Sequence, residues 1–157
     1  MKDDPAKASP NVISCPPLVF IGALAAGLLL SWLIPSHNFA TAPFKVVGGL
    51  MGISGTTVAF WGMYVFRRAG TNVRPSRPVT TLVTGGPFRY SRNPFYVAMT
   101  VIYVGLTLYL GLLWPLVTLV PALIVVHWRI VRREEGFLED RFGDDYRAYK
   151  AQVHRWI

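Results

Sequence analysis

Hydrophobic and polar positions along this chain separate into long blocks, with no short strand-like alternation. Residues 16–34 are apolar, and so are residues 44–66 apart from Lys45 at the edge. From 95 to 131 Arg129 is the one charged residue. A helix needs roughly 20 apolar residues at ~1.5 Å each to cross a hydrocarbon core of about 30 Å. The first two blocks each allow one crossing, and the third is nearly twice that length. It is therefore predicted to be two helices folded back on each other, reversing at Gly111-Leu-Leu-Trp-Pro115. There Gly loosens the helix, Pro lacks a backbone donor and Trp favours the interface between lipid and water. Such a hairpin returns the chain to the side it left. It thus brings the Arg92-Asn93-Pro94 segment next to Glu134-Glu135.

The predicted fold is all-α: a polytopic membrane protein of four transmembrane helices, with a C-terminal helical hairpin and an amphipathic cytoplasmic helix. Residues 1–15, with Pro5 and Pro10, read as a flexible arm, and residues 16–157 as a single transmembrane domain. Helix one covers residues 18–33 and is closed by Pro35; residues 36–43 form a short external turn. Helix two, residues 44–68, carries Gly48, Gly49, Gly52, Gly55 and Gly62. In lipid, small residues at this spacing let helix backbones approach closely, or leave room for a cofactor. Residues 69–94 are a structured loop in which 79–83 form a short extended piece before the Gly85-Gly86-Pro87 turn. Pro94 then opens the third helix, a position where Pro is tolerated. Beyond the fourth helix, residues 129–149 continue as one amphipathic helix with Phe137, Leu138, Phe142, Tyr146 and Tyr149 on its apolar side. It would lie on the membrane surface as a roof, with residues 153–157 as an interfacial anchor.

Composition supports the membrane reading. Of 157 residues, 52% are hydrophobic and only 15% charged, which suits one compact bundle. Residues 16–34 have an apolar core longer than a secretory signal and no small-x-small cleavage site, so they are read as retained helix. The single Cys15 excludes intrachain disulfides and thiolate clusters. A net charge of +8 raises nucleic acid as a partner, but its placement argues otherwise. Arg67, Arg68, Arg74, Arg77, Arg89 and Arg92 fall between the second and third blocks, where there is no acidic residue. The positive-inside rule puts that connection, and with four spans both termini, in the cytoplasm. The implied partner is the bilayer, not nucleic acid.

Candidate chemistry gathers at that cytoplasmic side. Arg92 and Asn93 sit where a loop becomes a membrane helix, next to Tyr90 and Tyr96. A helix start offers free backbone donors and partial positive charge, so a ligand carboxylate would bind there beside Arg92. The bland alternative is an interfacial Arg-Tyr belt. Glu134 and Glu135 follow the fourth helix and would either receive ribose hydroxyls, an ammonium or a sulfonium, or simply pair with Arg132 or Arg133. His127 lies seven positions before Glu134, two α-helical turns, on the same face. There is no GxGxxG after a strand, no P-loop, no HExxH and no CxxC. His37, His127 and His154 are too scattered for a metal site.

The run from Leu82 through Gly86-Pro87-Phe88-Arg89-Tyr90-Ser91-Arg92-Asn93-Pro94-Phe95-Tyr96, an apolar hairpin, and then Glu134-Glu135, Leu138, Phe142-Gly143, Tyr146 and Tyr149 resembles the isoprenylcysteine carboxyl methyltransferases and the related membrane phospholipid methyltransferases. The resemblance covers about residues 70–157. It implies an S-adenosylmethionine-dependent methyltransferase of a prokaryotic cytoplasmic membrane, acting on a lipid-like acceptor that enters from the bilayer. The cofactor would be held by Gly86, Pro87, Tyr90, Arg92, Asn93, Pro94 and Tyr96 on one side. His127, Glu134, Glu135, Leu138, Tyr146 and Tyr149 would hold it on the other, with Arg155 toward the substrate. Asn93 stands where the eukaryotic isoprenylcysteine enzymes have His, and resembles the phospholipid branch. A carboxylate or thiolate acceptor needs no base; a protonated amine does, and Glu134, Glu135 and His127 are the candidates. Two further readings share the architecture: an NADPH-dependent sterol-type reductase and a non-catalytic lipid-binding protein.

Overall fold

A computed structural model of the chain describes residues 15–36, 38–70 and 81–157. Their elements are α1 (Pro16–Leu33), α2 (Ala42–Arg68), a 3-10 turn (Gly86–Arg89), α3 (Pro94–Leu110), α4 (Leu113–Val125), a π-helical stretch (Val126–Val131), α5 (Arg132–Phe142) and α6 (Asp144–Gln152). Among the described residues there is no strand, in keeping with the all-α expectation. The expected arm lies outside the described residues except for Cys15, as do His37, Arg74, Arg77 and the first two positions of the extended piece; Leu82 and Val83 pack against Phe88, Tyr146 and Tyr149 without forming a strand.

Three helices are long and apolar enough to cross a membrane: Pro16–Leu33, Ala42–Arg68 and the continuous rod Leu113–Phe142. Pro94–Leu110 is apolar but shorter, at 17 residues, or about 25 Å of rise. All four run antiparallel to their neighbours in two tight pairs. In the α2–α3 pair, a Cβ on Gly55 would stand 2.8 Å from the Ala98 carbonyl oxygen, and one on Gly105 would stand 2.7 Å from that of Gly48. Backbone meets backbone there, and only glycine permits it. Gly49 and Gly52 face open space instead, so the glycines divide between packing and exposure. In the α1–α4 pair, Gly27 lies against Pro115, and the Thr118 hydroxyl donates to the Ala23 carbonyl at 2.8 Å.

The reversal between α3 and α4 is two residues long. Gly111 adopts φ +67°, and the Leu112 N–H reaches back to the Thr107 carbonyl at 3.3 Å, a Schellman-type end that needs a residue able to enter the left-handed region. The Gly111 carbonyl accepts from Phe39 at 3.2 Å and the Trp114 indole donates to Ile34 at 2.8 Å. Both connections, α1–α2 and α3–α4, therefore close the same end of the bundle. The opposite end is free for chemistry.

Two tyrosines tie α3 to the α4 rod across the hairpin. Tyr103 donates to the Pro115 carbonyl at 3.0 Å, and Tyr96 reaches Glu134. Around them Phe20, Leu119, Val126, Ile130 and Val131 form a buried core. The outer faces remain apolar and exposed, including Leu50, Ile53, Phe60, Val120 and Ile124, as lipid-facing surfaces must be.

The predicted single helix over residues 129–149 is corrected to two. Gly143 turns the chain with φ 51° between α5 and α6, and Glu139 accepts from Arg147 at 3.3 Å and from Lys150 at 3.1 Å across the break. The cause is the Phe142-Gly143-Asp144 sequence, which stops one helix and starts another. Folding back carries Tyr146 and Tyr149 onto Phe88.

Candidate active site at the open end of the bundle

The segment before α3 is held by the C-terminus of the chain. The Arg92 N–H donates to the His154 carbonyl at 3.0 Å. Asn93 Nδ2 donates to the Arg155 carbonyl at 3.1 Å, and the Ser91 hydroxyl donates to the same oxygen at 3.4 Å. Ser91 also accepts from the Asn93 N–H at 3.1 Å. Residues 153–157, expected as an interfacial anchor, also have a role that expectation did not include: the His154 and Arg155 carbonyls satisfy donors of the Arg-Asn-Pro segment. The start of α3 also offers fewer free donors than expected. Pro94 has none, and the Tyr96 and Val97 N–H groups bond to the Asn93 carbonyl.

Glu134 and Glu135 have separate environments although they are adjacent. Glu135 is buried between two guanidinium groups: Arg155 donates through Nε at 3.0 and 3.1 Å and through Nη2 at 2.7 Å, and Arg92 Nη1 lies 3.2 Å from Oε1. The Arg92 contact is an ion pair without hydrogen-bond alignment, because Arg92 Nε and Nη1 are both buried with no hydrogen-bond partner among the described residues. The side chains of Arg92 and Glu135 are each 8% exposed. Glu134 meets no cation. Both of its oxygens take the Tyr96 hydroxyl, at 3.0 and 2.9 Å.

Aromatic residues of α6 and the 3-10 turn cover this cluster. Tyr149 donates to the Phe88 carbonyl at 2.6 Å. Burial raises the Tyr149 hydroxyl and pushes that of Tyr146 up to about 12, the nearby Glu135 charge adding to the second and Arg92 opposing it. Both remain neutral hydroxyls at physiological pH. Leu138 belongs to the same cover.

The rod is π-helical from Val126 to Val131, immediately before the glutamates. Single π turns inside α-helices cluster at functional sites, and this one interrupts the register that would put His127 and Glu134 on one face. The His127 ring packs 5.8 Å from that of Trp156 and 5.4 Å from that of Trp128, and no hydrogen bond joins it to either glutamate. Of the expected site residues, Arg92, Asn93, Pro94, Tyr96, Glu134, Glu135, Tyr146 and Arg155 meet at this end, with Pro87, Leu138 and Tyr149 in the cover. Tyr90 does not join them: it is 69% exposed with its ring 6.5 Å from Trp61. Gly86, at φ +62°, lies against Val65 and Trp61. Ser91, Phe88 and Trp156 contribute without having been singled out; Ser91, inside the Arg-rich motif, was the most legible of the three.

The model of the phospholipid methyltransferase family matches residues 44–145. The chain belongs to the phospholipid methyltransferase family. The match reaches back to α2 and forward through α5, so it includes the glycine-lined α2–α3 pair and the Arg-Asn-Pro and Glu-Glu segments, while Tyr146, Tyr149 and Arg155 lie beyond it. An uncharacterized protein of Haemophilus influenzae is 36% identical over 62 residues, covering 40% of this chain and 98% of its own length. No solved structure matches. Membership and the long apolar helices together make this an integral membrane protein of a methyltransferase family.

Proposed function

We propose that the protein is an S-adenosylmethionine-dependent methyltransferase acting on a lipid-like or small membrane-partitioned acceptor, with α3 as a fourth membrane pass. The observation that carries this reading is Arg92. Its buried Nε and Nη1 lack hydrogen-bond partners among the described residues, with Nη1 held only by the ion pair to Glu135. Leaving such donors unmet is costly, and a ligand carboxylate accepting from Nε would meet one of them. The donor set suits the rest of an aminoacyl sulfonium: Glu134 lacks a cation, and neutral tyrosines flank the cluster. The cofactor supplies a methyl group already activated on a cationic sulfur.

The protein's own contribution is alignment and exclusion of water, which can be worth several kcal/mol. Arg155 and Arg92 fix Glu135, which is thereby engaged and not a base. His127 packs against indole rings. Glu134, oriented by Tyr96, is the carboxylate left to accept a proton from an ammonium acceptor. A lipid-like acceptor would approach it from the bilayer side, where Tyr96, the hydrogen-bond partner of Glu134, packs in the apolar core with Val126 and Ile130. The test is transfer of radiolabelled methyl from S-adenosylmethionine into a lipid extract by the purified protein. Label in an extractable lipid supports the reading; no transfer to any lipid fraction, with methyl donor bound, contradicts it.

A further inference from the structure

The outward side of the rod that carries the glutamates has a pattern the methyltransferase site does not use. Leu113, Val117, Val120, Ile124 and Trp128 are exposed at steps of three and four, a lipid-facing stripe on a helix long enough to cross. At Trp128 the stripe gives way to charge. Arg129, Arg132 and Arg133 are all exposed, and the Arg132 guanidinium lies 4.4 Å over the Trp128 ring.

The acids closest in sequence are engaged elsewhere: Glu134 with Tyr96, Glu135 with Arg92 and Arg155, and Glu139 with Arg147 and Lys150. None of the three arginines has an acidic partner among the described residues. Trp settles at the depth of the lipid head groups, so an exposed Trp128 with a guanidinium stacked on it fixes the level at which these charges stand. Arginine presents a planar fork of donors that matches phosphate oxygens, and is less strongly hydrated than lysine. A polycationic cluster at that depth complements the negative cytoplasmic leaflet.

We infer that Arg129, Arg132 and Arg133, with Trp128 beneath Arg132, form a binding surface for the phosphate of an anionic phospholipid, on the lipid-facing side of the rod that carries Glu134 and Glu135. The surface is independent of which cofactor the site takes. It would pin the rod at the membrane surface beside the π turns and so hold the height of the glutamates.

The experiment relipidates the purified full chain from an equal mixture of phosphatidylglycerol and phosphatidylcholine and identifies the retained lipids by native mass spectrometry. Wild type is expected to retain phosphatidylglycerol several-fold over phosphatidylcholine, a preference lost in R129Q/R132Q/R133Q, kept in R147Q/K150Q and reduced but not abolished when the three arginines become lysines. Equal retention by wild type overturns the inference, as does a preference that survives the triple glutamine change. Loss in the R147Q/K150Q control would assign the preference to net charge and overturn the local site. Wild type also tests the surface without any variant, because an electrostatic preference must fall as salt rises from about 0.05 to 0.5 M; a preference indifferent to salt contradicts it.

Discussion

At the scale of single residues, burial decides which charges matter. Arg92→Ala removes a buried guanidinium whose Nε and Nη1 have no hydrogen-bond partner among the described residues, although Nη1 is ion-paired with Glu135. It is expected to weaken S-adenosylmethionine binding by about 1.5–3 kcal/mol, roughly ten- to hundredfold, measured by calorimetry. Wild-type affinity in this variant would remove Arg92 from the site. Glu135→Ala behaves differently, because it leaves two guanidinium groups without the carboxylate that both face. Breaking a buried pair of this kind costs about 3–5 kcal/mol, so the melting temperature should fall well below that of Arg92→Ala. Tyr96→Phe removes the hydrogen bonds to Glu134 and is expected to cost about 1–3 kcal/mol of stability; an unchanged melting curve would mean that the pair is not formed. Sequence made these residues legible as types at a spacing. What it could not give was the division of labour between two adjacent glutamates, because that depends on Arg155, which approaches from the far end of the chain.

At the scale of elements, the helices followed from block lengths, and their pairing did not. Five glycines on α2 share a spacing, yet Gly48 meets the α3 backbone while Gly49 meets nothing. Gly48→Ala should therefore force α2 and α3 apart and destabilise by about 1–3 kcal/mol. Gly49→Ala should be neutral or stabilising by up to about 1 kcal/mol, as alanine is in an open helix position. Thermal unfolding in detergent distinguishes them, and equal effects would contradict the packing. The π turns were invisible because no residue type marks them: Val126-His-Trp-Arg-Ile-Val131 reads as ordinary helix. Inserting one residue between Val131 and Arg132, beyond the π turns, should rotate α5 by about 100° about the rod axis. Cofactor binding should then be lost while the helices persist by circular dichroism; retained binding would show that the register of the rod does not set the position of the glutamates. The break at Gly143 was missed for a related reason. The apolar positions Leu138, Phe142, Tyr146 and Tyr149 keep a helical spacing through it, because both helices cover the same cluster.

At the scale of the whole molecule, the hairpin is what puts two distant motifs in one place. The length of the near charge-free stretch predicted the fold-back, and the structure has it, with both short connections at the end away from the site. In a Cys15→Ser background, an impermeant thiol reagent applied from outside should label a cysteine at Leu112 and not at Thr84 or Gln152. Label at Thr84 or Gln152 would put the open end of the bundle outside. The central claim is that this open end holds a methyl donor. Calorimetric titration of the purified protein with S-adenosylmethionine, S-adenosylhomocysteine and NADPH tests it most directly: the two sulfur compounds should bind and NADPH should give no heat of binding, whereas binding of NADPH with none of either sulfur compound would contradict the account.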